Sequence, residues 1–326
     1  MKASIIIPTY NRADVLLLCL TAVSQLKTDP SLFETIVVDN ASTDHTKDIS
    51  LYFAQMHPHL SVRYTFEGRQ GVSYARNHGV LEAQGEIICL LDDDSPPTPE
   101  WLNALLEPFS DPQVGCVGGP SMLDYQGQPV PPWLQGDLKM HLSAYRLPYV
   151  ETTQVSRWEY YPLSCNMAIR RSLFAELGYF RTDLDRSGDH ALAAGDTEMA
   201  DRIHSAGRKV LYVPNALVNH LVYPDRLTKD YVYHIGRGLA ETHVLLTYDR
   251  NPLQIIRWFL SDAWYATRMF FWLILAVLQR KPLWFDDYMR FWMVAQRLPV
   301  RFIRLFKKRN RNPQVRELSP ENSLSN

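Results

Sequence analysis

Three consecutive carboxylates, Asp92, Asp93 and Asp94, follow the apolar run Ile87-Ile88-Cys89-Leu90-Leu91 and precede Ser95-Pro96-Pro97. Four to eight apolar residues bounded by turn formers read as a buried strand, and two prolines forbid its continuation inside a sheet. The acids therefore sit where a strand leaves the core. Alternation along an extended chain turns Asp92 and Asp94 to one side and Asp93 to the other. Two like-facing carboxylates repel unless a cation lies between them, and hard oxygen ligands suit Mg2+ or Mn2+. The competing reading is a solvated acidic turn capping the helix that begins at Glu100-Trp101-Leu102, so the rest of the chain has to decide.

A second acid occupies a similar place. Asp39 ends the apolar run at residues 33–38 and opens Asn40-Ala41-Ser42-Thr43-Asp44, with a helix expected from Thr43 or Asp44. The loop after the first apolar run, residues 3–7, supplies Pro8, Thr9, Tyr10 and Arg12. Carboxylates, an aromatic ring and a guanidinium in one crevice suit a nucleotide: an acid for base or ribose, a ring to stack on, a cation for phosphate. Turn formation and N-capping would each explain Asp39 or Asp44 singly. No glycine-rich phosphate loop of the dinucleotide or P-loop type follows the first strand, which leaves the phosphates to a metal.

The elements that must position these groups alternate. Strands at residues 3–7, 33–38, 62–66 and 87–91 are separated by helices at 15–26, near 44, and at 71–81, the last carrying Arg76 and Asn77. This spacing predicts an α/β fold, a Rossmann-like, mostly parallel sheet with helices on both faces, whose ligand crevice lies beyond the carboxyl ends of the strands. Residues 114–123 read as one further strand running through Gly118-Gly119-Pro120. Residues 124–161 are rich in proline and aromatics and form a candidate acceptor lid, with simple packing as the alternative. A helix near 172–177 ends at Gly178 as a C-cap. In Gly195-Asp196-Thr197-Glu198-Met199-Ala200-Asp201-Arg202-Ile203 the apolar residues share one helical side, so Asp196 sits at the helix N-terminus, as a plain cap or as a reacting carboxylate. A strand at 210–213 leads on to His220.

Taken together, Ser4-Ile5-Ile6-Ile7-Pro8-Thr9-Tyr10-Asn11-Arg12, Val37-Val38-Asp39-Asn40-Ala41-Ser42-Thr43-Asp44, Ala75-Arg76-Asn77-His78-Gly79 and Leu91-Asp92-Asp93-Asp94 resemble the family 2 glycosyltransferases of GT-A fold. The likeness covers roughly the first two-thirds of the chain. It implies an inverting transferase that uses a nucleotide-diphosphate sugar and a divalent cation, Mn2+ or Mg2+. Carried over by motif, Asp39 recognises the base with Pro8, Thr9, Tyr10 and Arg12 around it. Gly71, Arg76, Asp92 (near the ribose), Asp93 and Asn166 belong to the donor site, and Asp94 and His220 hold the metal. A lone histidine is more often structural, which remains the alternative for His220. The resemblance places the catalytic base at Asp196. The commoner Glu-Asp pair is broken here by Gly195, so Glu198 stands as a substitute base. His190, beside Asp189, is a weaker candidate for binding substrate.

Composition bounds the remainder. A net charge of -1 over 326 residues argues against a general nucleic-acid binder. Cys19, Cys89, Cys116 and Cys165 fit no zinc or redox spacing and suggest reduced thiols in a cytosolic setting. No charged, apolar and cleavable series opens the chain. The expected domains are a catalytic unit at 1–226 (nucleotide half 1–120, acceptor half 121–226), a helical appendage at 227–309 and a disordered polar tail at 310–326. The appendage mixes Trp, Phe and Leu with Arg257, Arg268, Arg290, Arg297, Arg301 and Arg304, and its cleanest apolar window falls short of the ~20 residues that span a bilayer. Such helices suit the cytoplasmic face of a membrane as a peripheral or monotopic anchor, or pack on the domain. The leading expectation is transfer, with UDP-sugar the first guess for donor, to a hydroxyl of a lipid-linked or polysaccharide acceptor. The alternatives are a non-catalytic nucleotide-sugar-binding partner and a membrane scaffold in polysaccharide assembly.

Overall fold

The computed structural model describes residues 1–184, 186–187, 190–191, 195–246, 252–279 and 284–306. The tail at 310–326 and the basic residues from Lys307 onward lie outside the described residues. The first half alternates as expected: β1 (Ala3–Thr9), α1 (Ala13–Ser24), β2 (Phe33–Asp39), α2 (Thr46–Met56), β3 (Ser61–Phe66), α3 (Val72–Glu82) and β4 (Ile87–Leu91). There follow α4 (Trp101–Leu106), β5 (Val114–Gly118), β6 (Ser121–Asp124), β7 (Thr153–Val155), β8 (Asn166–Arg170), α5 (Ser172–Leu177) and the two-residue strands β9 (Arg186–Ser187) and β10 (His190–Ala191). The chain continues with α6 (Gly195–Ser205), β11 (Lys209–Tyr212), β12 (Val218–Leu221), α7 (Lys229–Leu246), α8 (Pro252–Leu278) and α9 (Trp284–Phe306).

The central sheet has eight strands in the order β3-β2-β1-β4-β8-β5-β11-β7. β3, β2, β1 and β4 are mutually parallel, β8 runs antiparallel between β4 and β5, and β11 returns parallel to β5 with β7 antiparallel at the edge. Every residue of β1, β2 and β4 is buried, as strands covered on both faces must be. Alternation divides them between two cores. Ile5, Ile7, Val37, Cys89 and Leu91 pack with α1 and α4 on one face, and Ile6, Ile36, Val38, Ile88 and Leu90 pack with α3 and α6 on the other.

The stretch expected as one strand at 114–123 is two. A Cβ on Gly119 would stand 1.9 Å from the Ala216 carbonyl oxygen, and one on Gly118 would stand 2.2 Å from Pro162. Only glycine lets the backbone pass this close to Ala216 and Pro162; after Pro120 the chain turns, and β6 leaves the main sheet to pair in parallel with β12. α2 begins two residues later than its sequence signal because the Asp44 carboxylate accepts from the Thr46 amide and hydroxyl before the helix starts.

A third apolar cluster joins α7 and α9 to the stretch between β6 and β7. Val232 of α7 and Phe285 and Met289 of α9 pack with Leu134 and with Leu138 and Leu142 of the 3-10 segment Gly136–Leu142. α8 lies on α9, where the Arg301 guanidinium donates to the buried Asp262 carboxylate. Among the described residues no helix is long and apolar enough to cross a membrane.

Candidate active site

β4 delivers Asp92, Asp93 and Asp94 to the carboxyl end of the sheet, but the chain turns there, and strand alternation does not hold: Asp93 and Asp94, expected on opposite sides, share Arg12, while Asp92 stands apart from both. Asp92 is the most exposed of the three and pairs with Arg76 of α3, Nη2 to Oδ1 at 2.9 Å. Asp93 faces β1: the Thr9 hydroxyl donates to Oδ2 at 2.8 Å and Arg12 Nη1 donates to Oδ1 at 2.8 Å. Asp94 faces β12 and the turn after it. Arg12 Nη1 and Arg226 Nη2 both lie 3.0 Å from Oδ2, and His220 Nδ1 lies 3.3 Å from Oδ1. The backbone holds this junction, since the Leu221 amide donates to the Asp94 carbonyl at 2.8 Å.

The two buried acids part in their proton affinities. Burial lifts the Asp93 carboxyl to about 7 against the pull of Arg12, with neighbouring Asp94 adding to the rise. Burial alone would raise Asp94 as well, but His220, Arg226 and Arg12 outweigh it and hold that carboxyl below the usual carboxylate range. His220 is driven down by burial, with Asp94 opposing the fall and Arg226 adding to it.

Asp39, at the end of β2, forms a separate station. Its Oδ1 accepts from the Ser42 amide at 2.8 Å and its Oδ2 from the Tyr64 hydroxyl of β3 at 2.9 Å. Asn40 braces the adjoining wall, donating to the carbonyls of Glu67 and Arg69 and accepting from the Gly71 amide at 2.8 Å. Gly71 has φ +136°, a conformation that only glycine takes without strain, and it caps α3. Pro8 lies buried in β1 beside Val38 of β2, and Tyr10 is exposed at the rim.

The third station is the N-terminus of α6. Asp196 Oδ2 accepts from the Ser164 amide at 3.0 Å and its hydroxyl at 3.1 Å, and Oδ1 accepts from the Thr197 amide at 2.7 Å. Glu198 turns away. Its Oε2 lies 2.9 Å from Arg202 Nη2, and Arg202 in turn donates to the carbonyls of Leu177, Gly178 and Tyr179 at the end of α5. Cys165 lies between the stations: burial raises its thiol, and Asp92, Asp94 and Asp196 add to the rise. Asn166 is buried in β8 opposite Leu91, and its amide is committed internally. Oδ1 accepts from Trp101 Nε1 at 2.7 Å, and Nδ2 donates to the carbonyls of Pro120 at 2.9 Å and Ala216 at 2.7 Å.

The structure thus gathers Thr9, Arg12, Arg76, Asp92, Asp93, Asp94 and His220 into one connected group, with Asp39 and Asp196 as neighbouring stations. A role for His190 beside Asp189 falls on side chains outside the described residues. Sequence reasoning missed Arg226, Tyr223 and Tyr64, and it set Ser164 in the stretch that resembles the strand lining the sugar site without foreseeing its bonds to Asp196. Tyr64 had a signal in its strand, whose pairing brings it beside β2 near Asp39; Arg226 had none, because nothing local ties it to Asp94.

The donor set fits a divalent cation in part. Asp94 and His220 are a hard carboxylate and an imidazole side by side, and such ions take one or two protein ligands with substrate phosphates and water completing the shell. Among the described residues, no group of three or more acids, histidines or cysteines is disposed to hold an ion unaided.

A mostly parallel sheet with acids at the ends of β2 and β4 and an acid-headed helix beside them defines a GT-A glycosyltransferase. The family model described as glycosyl transferase family 2 matches residues 4–178, and the chain belongs to that family. It is similar to glycosyltransferase AglE of Haloferax volcanii, 26% identical over 243 residues, or 74% of either chain. It is also similar to the glucosyl-dolichyl phosphate glucuronosyltransferase of the same organism, 23% identical over 71% of this chain and 73% of that one. Among solved structures it shares its fold with the mannosyltransferase PcManGT from Pyrobaculum calidifontis, solved with GDP-Man and Mn2+. That match has a TM-score of 0.56 and 20% identity, and covers 92% of this chain and 73% of the other.

Proposed function

We propose that the protein is a metal-dependent, inverting transferase that moves a sugar from a nucleoside-diphosphate sugar to a hydroxyl of a lipid-linked or polysaccharide acceptor. The observation that carries this reading is the Asp94–His220 pair at 3.3 Å, set at a strand end among Asp92, Arg12 and Arg76. A divalent ion held by Asp94 and His220 would supply Lewis-acid neutralisation of the diphosphate leaving group. Asp92 and Asp39 serve ribose and base, with UDP the first nucleotide to test and Tyr10 available to stack. Gly71 and Asn40 shape the wall against which the nucleoside lies, and Asn166 keeps the floor beneath Asp92 in place.

Asp196 takes the proton of the attacking hydroxyl. Hydrogen bonds from Ser164 and Thr197 fix the carboxylate plane; Oδ2 is filled by the Ser164 amide and hydroxyl, and Oδ1, held by the Thr197 amide, is the oxygen left to take the acceptor's proton. The ion pair of Glu198 with Arg202 argues for Asp196 over Glu198 in this role. Displacement on the face opposite the diphosphate then inverts the anomeric centre.

The acceptor is reached at the cytoplasmic face of a membrane. Ile256, Leu260, Trp264, Phe271, Leu275 and Leu278 recur every three to seven residues along one side of α8, and all are exposed. They form an apolar stripe on a helix about 40 Å long, flanked by Arg257 and Arg268, as an interfacial helix requires. The lipid-linked substrate in the name of the Haloferax glucuronosyltransferase supports an acceptor of this kind.

The test is calorimetric titration with UDP, GDP and dTDP, each with Mn2+ and with chelator. Metal-dependent binding of one nucleotide, lost in Asp94→Ala and kept in a turnover-dead Asp196→Asn, is expected. No binding of any nucleotide by folded protein would overturn the reading.

A further inference from the structure

We propose that Arg226 is a displaceable cation: it stands in the metal's place between Asp94 and His220 in the donor-free protein and passes to the diphosphate when donor and ion bind. The proposal rests on the donor-site reading above. The geometry behind it is specific to this one side chain. Arg226 Nη2 lies 3.0 Å from Asp94 Oδ2, while Arg226 Nη1 lies 3.1 Å from His220 Nε2. A guanidinium only donates, so Nε2 must be the unprotonated ring nitrogen and its lone pair points at Arg226. The proton then sits on Nδ1, which faces Asp94 Oδ1 at 3.3 Å and the Ser95 hydroxyl at 3.0 Å. One fork therefore takes the carboxylate oxygen and the imidazole lone pair that a bound ion would need.

The rest of the surroundings is consistent with exchange. Arg226 sits on a single 3-10 turn, Pro224–Arg226, that follows β12 directly. The preceding Tyr223 stacks on the Arg12 guanidinium at 5.6 Å, so the same short segment covers both arginines of the cluster. Two guanidinium groups already face Asp93 and Asp94. A divalent ion added to these would leave an excess of positive charge that only an anionic ligand can offset, and a diphosphate brings that charge to the position where the displaced Arg226 is left. Metal and nucleoside diphosphate are therefore expected to bind together far better than either binds alone.

The experiment measures Mn2+ binding by electron paramagnetic resonance in wild type, Arg226→Met and Arg226→Lys, with and without UDP or GDP. Without nucleotide, Arg226→Met should bind Mn2+ at least tenfold more tightly than wild type, because the competing cation is gone, and Arg226→Lys should stay near wild type. With saturating Mn2+, Arg226→Met should bind the nucleotide at least tenfold more weakly. Equal or weaker metal-only binding by Arg226→Met overturns the proposal while leaving the donor site standing, provided that wild type binds Mn2+ with nucleotide. If wild type binds no Mn2+ with either nucleotide, both fall. Should Arg226→Met prove too unstable for titration, its thermal melting gives the same answer: Mn2+ alone should raise its melting temperature more than that of wild type, and no such excess overturns the proposal.

Discussion

Asn166→Ala separates a residue that holds the site together from one that touches the donor. The side chain makes three buried hydrogen bonds, to Trp101 Nε1 and to the carbonyls of Pro120 and Ala216. The Pro120 carbonyl keeps a second partner, the Val218 amide at 3.1 Å. Truncation therefore orphans chiefly the Trp101 indole N–H and the Ala216 carbonyl. A buried polar group left without a partner costs about 1–3 kcal/mol, so the expected loss is ~4 kcal/mol in total. Against a typical domain stability of about 5–15 kcal/mol this is a large fraction, and urea unfolding followed by circular dichroism reads it as a lowered midpoint at unchanged slope. Trp101→Phe, which leaves Asn166 Oδ1 short of a donor and opens a gap where the buried indole stood, should cost about 2–4 kcal/mol. The two changes should also be non-additive, since they share one bond. A loss below ~1 kcal/mol for Asn166→Ala, or strict additivity with Trp101→Phe, would refute the scaffold account. A fall in nucleotide affinity at unchanged stability would make Asn166 a donor ligand instead.

Three further outcomes follow from the geometry. Asp196→Asn should abolish turnover with nucleotide affinity retained, whereas Glu198→Gln should keep turnover and lower the melting temperature by loosening Arg202 from the end of α5; the reverse pattern in a transfer assay would move the base to Glu198. Asp93, raised to about 7 from an unfolded value near ~3.9, binds its proton more tightly in the folded protein, so its contribution is full below pH ~4 and is lost as pH rises through 7. Asp93→Asn, whose amide can accept from Arg12 and donate to the Thr9 hydroxyl, should flatten the decline of melting temperature between pH 5 and 8; a decline as steep as that of wild type counts against the buried, proton-holding Asp93. Trp264→Glu together with Phe271→Glu should reduce sedimentation with anionic vesicles at least tenfold while leaving nucleotide binding intact, and undiminished sedimentation would remove α8 as the membrane contact.

What the sequence made legible was local. The apolar runs, their stop signals and the acids placed after them lie within a few residues of one another, and β1, β2, β3 and β4 formed where periodicity and turn chemistry indicated. Gly71 and Gly178 fell at helix ends, where their positive φ suits a cap. What escaped depends on partners far along the chain. The break after β5 falls where Gly119 passes close to Ala216, and the role of Arg226 comes from a turn that meets Asp94 only once β12 has paired with β6. The internal bonding of Asn166 was hidden for the same reason, since its three partners lie on α4 and on two separate loops. For the C-terminal helices, aromatics mixed with arginines fit both packing and a lipid surface. α7 and α9 do pack on the stretch between β6 and β7 through Val232, Phe285 and Met289, while α8 turns an apolar stripe outward, so two faces share one composition.

The place of β8 in the sheet bears on how the protein is made. β4 and β5 are consecutive strands of the main sheet, yet they do not pair; β8, synthesised some fifty residues after β5, is inserted between them. A nascent chain that has just exposed its first 120 residues therefore carries two unsatisfied strand edges facing one another across a gap, and both are built from apolar residues. Open edges of this kind are where a growing chain pairs with the wrong neighbour. The first 120 residues consequently cannot finish their sheet on their own, and the interval between release of β5 and arrival of β8 is when a chaperone has most to protect. Dividing the protein at residue 120 for expression would freeze that interval, and the two halves should be soluble only when made together.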